Sequence, residues 1–355
     1  MLSKTKFFFM SVAVPLAFSQ LAIASPSISS VLRDESTPGK LIINGSGFTD
    51  KEKPGPVFFF DFENNLLTQS SLSTIKDIKE VNGTLTTETS PTGEGSVLKY
   101  RVVNDYRSKA IPGLEITPAP DRLYVYFHRK YDFSISDSSN WGPNGLNLKV
   151  NRFWGEDGNN IYIGYQGKEG NNSGRIFPEY TATGGATWVG SELAQLKDKW
   201  SQEEIIYQAS DLDKKNGLFD VYRDGNVVSS NTYRMRTNSR SSKYNEIWFD
   251  QISNGVNESQ NLNIFYDNIY IDTSFHRVFI SPSSTFNDAK SKIIQVPTYW
   301  TDNTIEVVFN AAGIPESEAY IYVVDSEGRA NSAGIKICDK DCISRPKPPT
   351  SLQVN

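Results

Sequence analysis

The sequence predicts an all-β protein made of two sandwiches, a larger one inserted into a smaller one. Three observations lead to this expectation. The 355 residues carry 17 Tyr and 20 Phe beside 25 Gly and 17 Pro, a mixture that favours short strands and frequent turns over helices. Long stretches in the middle of the chain alternate apolar and polar residues, as strands with one buried face do. The strand-like run Lys40 to Phe48 has no continuation nearby, and comparable short strands resume only between Ile293 and Ile337.

The first 24 residues are read as an export signal. Lys4 and Lys6 precede an apolar run from Phe7 to Phe18, and Ala22-Ile23-Ala24 precedes Ser25. This is the charged, apolar and small-residue order of a cleaved leader, and the run is too short to span a bilayer. An uncleaved anchor is the alternative. The expected location is therefore secreted, whether extracellular, periplasmic or at the cell surface, with no transmembrane segment in the mature chain. The net charge of −5 becomes more negative once Lys4 and Lys6 are removed. That balance excludes nucleic acid as a partner, because phosphate binding needs a clustered basic surface.

Ile28 and Val31 open the next segment, Pro38-Gly39 supplies a turn, and the strand that follows ends in Gly45-Ser46-Gly47-Phe48. The opening resembles that of an IPT/TIG domain, an immunoglobulin-like sandwich. The resemblance implies further strands within a few tens of residues. They come instead as Lys292 to Pro297, Trp300 to Phe309 and Ala319 to Gly328, with Ala333 to Ile337 as the last partner. Residues 26–57 and 276–337 together match the roughly 100 residues of one small sandwich. The first piece alone is too short to bury a core.

Residues 58–275 are read as the insert. Trp200 leads the strand to Tyr207, and Asn216 to Val227 forms a hairpin around Asp224-Gly225. Ile264 to Asp272 reads as a closing strand with Asp267-Asn268 inside it. Together these resemble the concanavalin A-like lectin/glucanase jelly roll, of the kind found in LamG and polysaccharide-lyase domains. Residues 338–355 form a Pro-rich tail. In it Cys338 and Cys342 are expected to close a disulfide loop worth about 2 kcal/mol if unstrained.

Alternation indicates which insert side chains share a face. In Leu123 to Lys130 the core set is Leu123, Val125 and Phe127, leaving Tyr124, Tyr126, His128 and Lys130 on the other side. The same reading turns Leu148 and Val150 inward, hence Asn147, Lys149 and Asn151 outward. It also exposes Tyr162 and Gln166, with Gly164 between them. If the strands are neighbours, Tyr124, Tyr126, His128, Asn147, Lys149, Asn151, Tyr162 and Gln166 line one ligand groove. Such a set suits sugars, whose hydroxyls bond to amides and whose ring faces pack on aromatics. A solvated or loop-covered strand face is the competing reading.

The expected function is a secreted or cell-surface carbohydrate-binding protein that presents this groove to a polysaccharide or glycan. One alternative is a polysaccharide lyase acting by β-elimination on uronate-containing glycans, with His128, Lys149 and Tyr162 as catalytic candidates. Another is a non-catalytic structural or adhesin module. The paired carboxylates of a glucanase, such as Glu-x-Asp-x-x-Glu, do not occur, nor do the Gln-Ile-His and Arg-x-Glu-x-Arg strands of many alginate lyases. His276 is read as an interdomain hydrogen-bonding residue. No metal site is assigned. Ca²⁺ is the one ion entertained, at Glu156 to Asn160 and Asp211 to Asp213, whose oxygens suit it. Trp154 and Trp188 stand as sugar platforms or loop anchors.

Overall fold

The computed structural model describes residues 25–337 except 35, 64–74, 78–82, 105–108, 143–144, 168–172, 182–185, 191–196 and 258. The leader, the cysteine pair and the Pro-rich tail lie outside the described residues. The chain opens with β1 (Ser27–Arg33) and β2 (Lys40–Ser46), followed by β3 (Phe58–Phe60), β4 (Ile75–Asp77), β5 (Thr84–Ser90) and β6 (Gly93–Arg101). Next come β7 (Ile111–Ile116), β8 (Arg122–Tyr131), β9 (Leu146–Trp154), β10 (Asn160–Gly167), β11 (Ser173–Pro178) and β12 (Thr187–Gly190). Strands β13 (Ser201–Gln208), β14 (Gly217–Arg223), β15 (Asn226–Tyr233), β16 (Glu246–Asn254) and β17 (Asn263–Asp272) follow. The last are β18 (Arg277–Ser281), β19 (Ile293–Trp300), β20 (Thr304–Val308), β21 (Tyr320–Val324) and β22 (Ile335–Lys336). No helix among the described residues is long and apolar enough to cross a membrane.

The protein is all-β. Strand β2 finds its second partner at the far end of the chain, where Ile43 pairs with Ile305 and Leu41 with Val307. The resulting order is β1-β2-β20-β19-β18-β21-β22. Leu41, Ile43, Phe48, Val278, Ile305, Val307 and Ile321 fill this small sandwich. Its ends come from both halves of the sequence because neither half alone buries both faces.

Strands β3 to β17 form a larger jelly-roll sandwich of two antiparallel sheets. A front sheet runs β12-β11-β10-β9-β16-β7-β4. A back sheet runs β15-β14-β13-β8-β17-β6-β5, and β3 also pairs with β17. Leu123, Val125, Phe127, Leu148, Val150, Phe153, Ile161 and Ile163 pack between them. The hairpin joining β14 to β15 turns at Asp224 and Gly225, with φ of 47° and 67°, the two-residue turn that right-twisted strands favour. A Cβ on Gly225 would stand 2.8 Å from the Ala289 carbonyl oxygen, so this turn fits closely against the segment before β19.

A charged network lies inside the jelly roll. The Arg129 side chain is wholly buried and donates from Nη2 to Glu203 at 2.7 and 2.6 Å, and from Nη1 to Asn151 Oδ1 at 3.1 Å. Arg223 adds a 3.3 Å bond to the same carboxylate. Burial alone would raise the Glu203 pKa, but the two guanidinium groups hold it below its ordinary value. Nearby, Asp250 accepts a hydrogen bond from Tyr266 Oη. Burial pushes Asp250 up to about 7, with Arg129 opposing. A raised folded-state pKa contributes stability that is present below the unfolded value near 4 and is lost as pH rises through about 7. Asp250→Asn is expected to lose less stability than the parent between pH 4 and pH 8, measured by urea unfolding at both. Equal losses in the two proteins would count against this assignment.

The small sandwich packs onto the back sheet. Tyr124, Tyr126 and Tyr270 meet Phe279, Ile294 and Tyr322 in one apolar cluster. Tyr126 Oη donates to the Lys292 carbonyl at 2.8 Å, and Tyr124 Oη donates to Glu204 at 2.9 Å. Lys292 Nζ reaches the other Glu204 oxygen at 3.2 Å, while its N–H donates to Gln202 Oε1 at 2.8 Å. The Lys51–Asp272 pair, 2.5 Å apart and buried, ties together the two chain crossings. The front sheet therefore carries the outer face left on the opposite side.

Candidate functional site

Three cations gather around one phenol on the outer face of the front sheet, and a bulge in β9 puts them there. Leu148 and Val150 face the core in one phase, whereas Phe153 faces it in the other. The register reconciles the two: Asn151 pairs with Ile163, Lys149 pairs with Gly164, and Val150 is the extra residue. Lys149 and Arg152, three residues apart, consequently share the outer face. Arg152 stands opposite both Tyr162 and Trp248. Tyr162 stands opposite Phe177, and Arg175 stands between Gly164 and Trp188.

The Lys149 Nζ lies 4.3 Å from the centroid of the Tyr162 ring, and the Arg175 guanidinium lies 5.1 Å from it. Phe177 closes another side edge-on at 5.8 Å. Glu179 accepts from Lys149 at 3.3 Å and pairs also with Arg152, so one carboxylate serves two cations. Arg152 donates its Nε to Asn160 at 2.9 Å. Among the described residues no carboxylate is paired with Arg175. A cation-rich face in a chain of net charge −5 is a local field that favours an anionic ligand.

Burial, aided by the neighbouring Arg152 charge, lowers Lys149 to about 8, with Glu179 opposing. Burial raises the Tyr162 phenol above its ordinary value, with Arg175 opposing. Lys149 thus loses its proton around pH 8, well below an ordinary lysine, while the phenol keeps its own. Tyr162 is 1% exposed and Lys149 6%, so a ligand reaches them only as the side chains packed around them shift.

The eight groove residues expected from alternation do not share a face. Lys149, Tyr162, Asn147 and Gln166 do lie on the front sheet's outer face, Gln166 exposed and opposite Asn147. Asn151 turns into the core, where Arg129 holds it, because the bulge reverses the phase. Tyr124, Tyr126 and His128 belong to the back sheet, beside β13 and β17 rather than β9. The small sandwich covers the tyrosines. His128 is buried, hydrogen-bonded to Tyr126 Oη at 3.1 Å, and lowered to about 3 by burial. It is a neutral packed imidazole and no base for a ligand on the front sheet. His276 Nε2 bonds to Thr49 Oγ1 at 2.7 Å, so its partner lies beside β2 in the small sandwich and not in the jelly roll.

Alternation missed Arg152, Arg175, Glu179 and Trp248. The opposite parity of Val150 and Phe153 was the available signal for the bulge. The acidic turns considered for Ca²⁺ use their oxygens internally. Asp157 accepts the Ser242 and Asn159 N–H groups at 3.0 Å each, and Asp211 Oδ2 accepts from Lys214 and Asn216 at 3.0 Å each. Among the described residues no three His, Cys, Asp or Glu converge as a metal site. Trp188 is 56% exposed, while Trp154 is half-buried against Arg152 and Trp248.

No family model matches the chain, and no curated protein matches it. Its structure is similar to that of the alginate lyase Aly36B, at 11% identity over 66% of this chain and 97% of that one, with a TM-score of 0.40. It is also similar to the endo-β-1,4-glucuronan lyase from the fungus Trichoderma reesei, at 12% identity, 62% and 96% coverage and a TM-score of 0.41. A marine PL-14 alginate lyase from Aplysia kurodai gives 13% identity, 61% and 98% coverage and a TM-score of 0.39. At these scores the likenesses carry no residue role or activity to this chain.

Gly164 tests the bulge directly. A Cβ there would stand 2.5 Å from the Leu148 carbonyl oxygen, on the backbone that the bulge bends. Gly164→Ala is expected to destabilise by about 1–3 kcal/mol and to displace Lys149. Urea unfolding reads the first effect, and the pH dependence of any activity reads the second. A variant with unaltered unfolding would show that the β9–β10 approach is looser than described.

Proposed function

We propose that the outer face of the front sheet binds an acidic polysaccharide and cleaves it by β-elimination beside a uronate carboxylate. The observation supporting this most is Lys149, lowered to about 8, against a protonated Tyr162 with Arg175 alongside. Arg175 exchanges its contact with the phenol for the uronate carboxylate, offsetting the charge that develops when the adjacent C5 proton leaves. The free amine of Lys149 takes that proton, the C4–C5 double bond forms, and the C4–O4 bond breaks. Tyr162 gives its proton to the departing O4, with water restoring both groups afterwards. Two groups whose surroundings tune them to opposite tasks are what acid and base assignments require.

Ultraviolet absorbance of the unsaturated uronate, followed with the full chain on polyuronates, tests the reaction. The activity is expected to rise about tenfold per pH unit up to about pH 8 and then flatten, as the Lys149 amine becomes free. A second reading, binding without cleavage, is favoured by the near-complete burial of Tyr162. Polymer binding with no rise in absorbance at any pH would decide for it. In either reading the signal at 1–24 exports the chain, and the sandwich of 26–57 and 276–337 is a mount that holds residues 58–275 by two crossings.

A further inference from the structure

Beside the proposed reaction centre, the outer face continues from Arg152 into a row in which two indoles stand between two cations. Arg152 lies 3.8 Å from the Trp154 ring centroid, Trp154 and Trp248 are 5.5 Å apart, and Lys109 Nζ lies 3.8 Å from the Trp248 centroid. Ala110 N–H donates to the Phe249 carbonyl at 3.1 Å and so docks the Lys109 segment beside β16. The indole Nε1 atoms of both tryptophans are buried and have no acceptor among the described residues. Two donors without acceptors next to two cations point to a ligand that brings negative oxygens, since an unpaired buried N–H is otherwise a cost.

The row is in line with the reaction centre. Tyr162, Arg152 and Trp248 are successive cross-strand partners on β10, β9 and β16. Adjacent strands are about 4.8 Å apart, so Trp248 sits about 10 Å from Tyr162 across the sheet. We propose that Lys109, Trp248 and Trp154 form a second subsite for an anionic sugar of the same polymer, which crosses the strands rather than running along them. The substrate class is then a polymer with charge on successive units, and an isolated uronate fills only one of the two positions. This inference rests on the elimination reading for the first position but not for the second.

The test is quenching of tryptophan fluorescence in the full chain, titrated with alginate and polygalacturonate, with dextran as the neutral control and monomeric glucuronate as the short one. Both polyuronates are expected to quench, and dextran and the monomer are not. Trp248→Phe is expected to weaken polymer affinity several-fold, and Trp248→Ala at least about tenfold. Lys109→Gln, which removes the charge while keeping a long polar side chain, is expected to weaken binding and to reduce its loss with added salt. Polymer affinity unchanged in Lys109→Gln and in Trp248→Phe would overturn the subsite, as would equal binding of dextran. If the parent cleaves polymer while those variants bind it normally, the elimination reading stands and the subsite falls. If the parent binds polymer through Lys109 and Trp248 without cleaving it, the subsite stands and the elimination reading falls.

Discussion

Replacing Arg129 with Met is expected to destabilise the fold by about 3–5 kcal/mol, because it strips the buried Glu203 carboxylate of three hydrogen bonds and leaves it only the 3.3 Å contact from Arg223. A loss of that size is a large part of the roughly 5–15 kcal/mol that holds a domain together. The geometry explains the magnitude. Glu203 is 1% exposed and takes three hydrogen bonds from Arg129, two of them from one nitrogen, and a fourth from Arg223. Removing both charges should cost much less than removing one, since the penalty arises from the stranded ion and not from the loss of a net attraction. The double variant Arg129→Met with Glu203→Leu is therefore expected to recover part of the stability. Urea midpoints of the parent, the single variant and the double variant check both statements. A single variant as stable as the parent would mean that Arg223 or water compensates Glu203 without Arg129.

The second large effect concerns Lys149. If its amine is the base, Lys149→Met is expected to lower kcat on polyuronate by about 10²–10⁴ while leaving KM within a few-fold. Tyr162→Phe, which keeps the ring packed between Lys149 and Phe177 but lacks the phenolic proton, is expected to fall by a similar factor. Arg175→Lys should instead raise KM, because an ammonium cannot grip a carboxylate with two parallel bonds. Steady-state kinetics from the unsaturated-uronate absorbance separate these patterns. Full activity in Lys149→Met would remove the assignment of the base. Loss of the pH rise below about 8 in Tyr162→Phe, with the rise kept in Lys149→Met, would exchange the two roles.

Burial of charge links the two predictions. In the core, the ions of Arg129 and Glu203 satisfy one another, and their surroundings hold both charged. On the outer face, Lys149 is buried almost as deeply, and burial together with the neighbouring Arg152 charge disfavours its charged form, which the shared Glu179 only partly offsets. Burial of a lysine beside a second cation is the local difference, because an ammonium gives up its proton where the guanidinium groups of Arg129 and Arg223, which share Glu203 in the same way, do not.

The sequence by itself determined the elements whose causes are local. The β14–β15 hairpin follows from Asp224-Gly225, because that pair adopts the positive φ values a tight turn needs. The inward set Leu123, Val125 and Phe127 follows from period-two alternation, and so does the outward set Tyr124, Tyr126 and His128. Only the tertiary structure decided what those outward residues meet. Alternation gives the side of a sheet and not its cover. The small sandwich, assembled from both ends of the chain, buries the β8 tyrosines that would otherwise suit a sugar. Strand order is likewise non-local: β8 lies between β13 and β17, while β9 lies between β10 and β16, so the two candidate strands are on different sheets. The decisive detail is a single extra residue. The β9 bulge turns Asn151 inward to Arg129 and Arg152 outward to Tyr162, because a period of two has no memory of phase once one position is added.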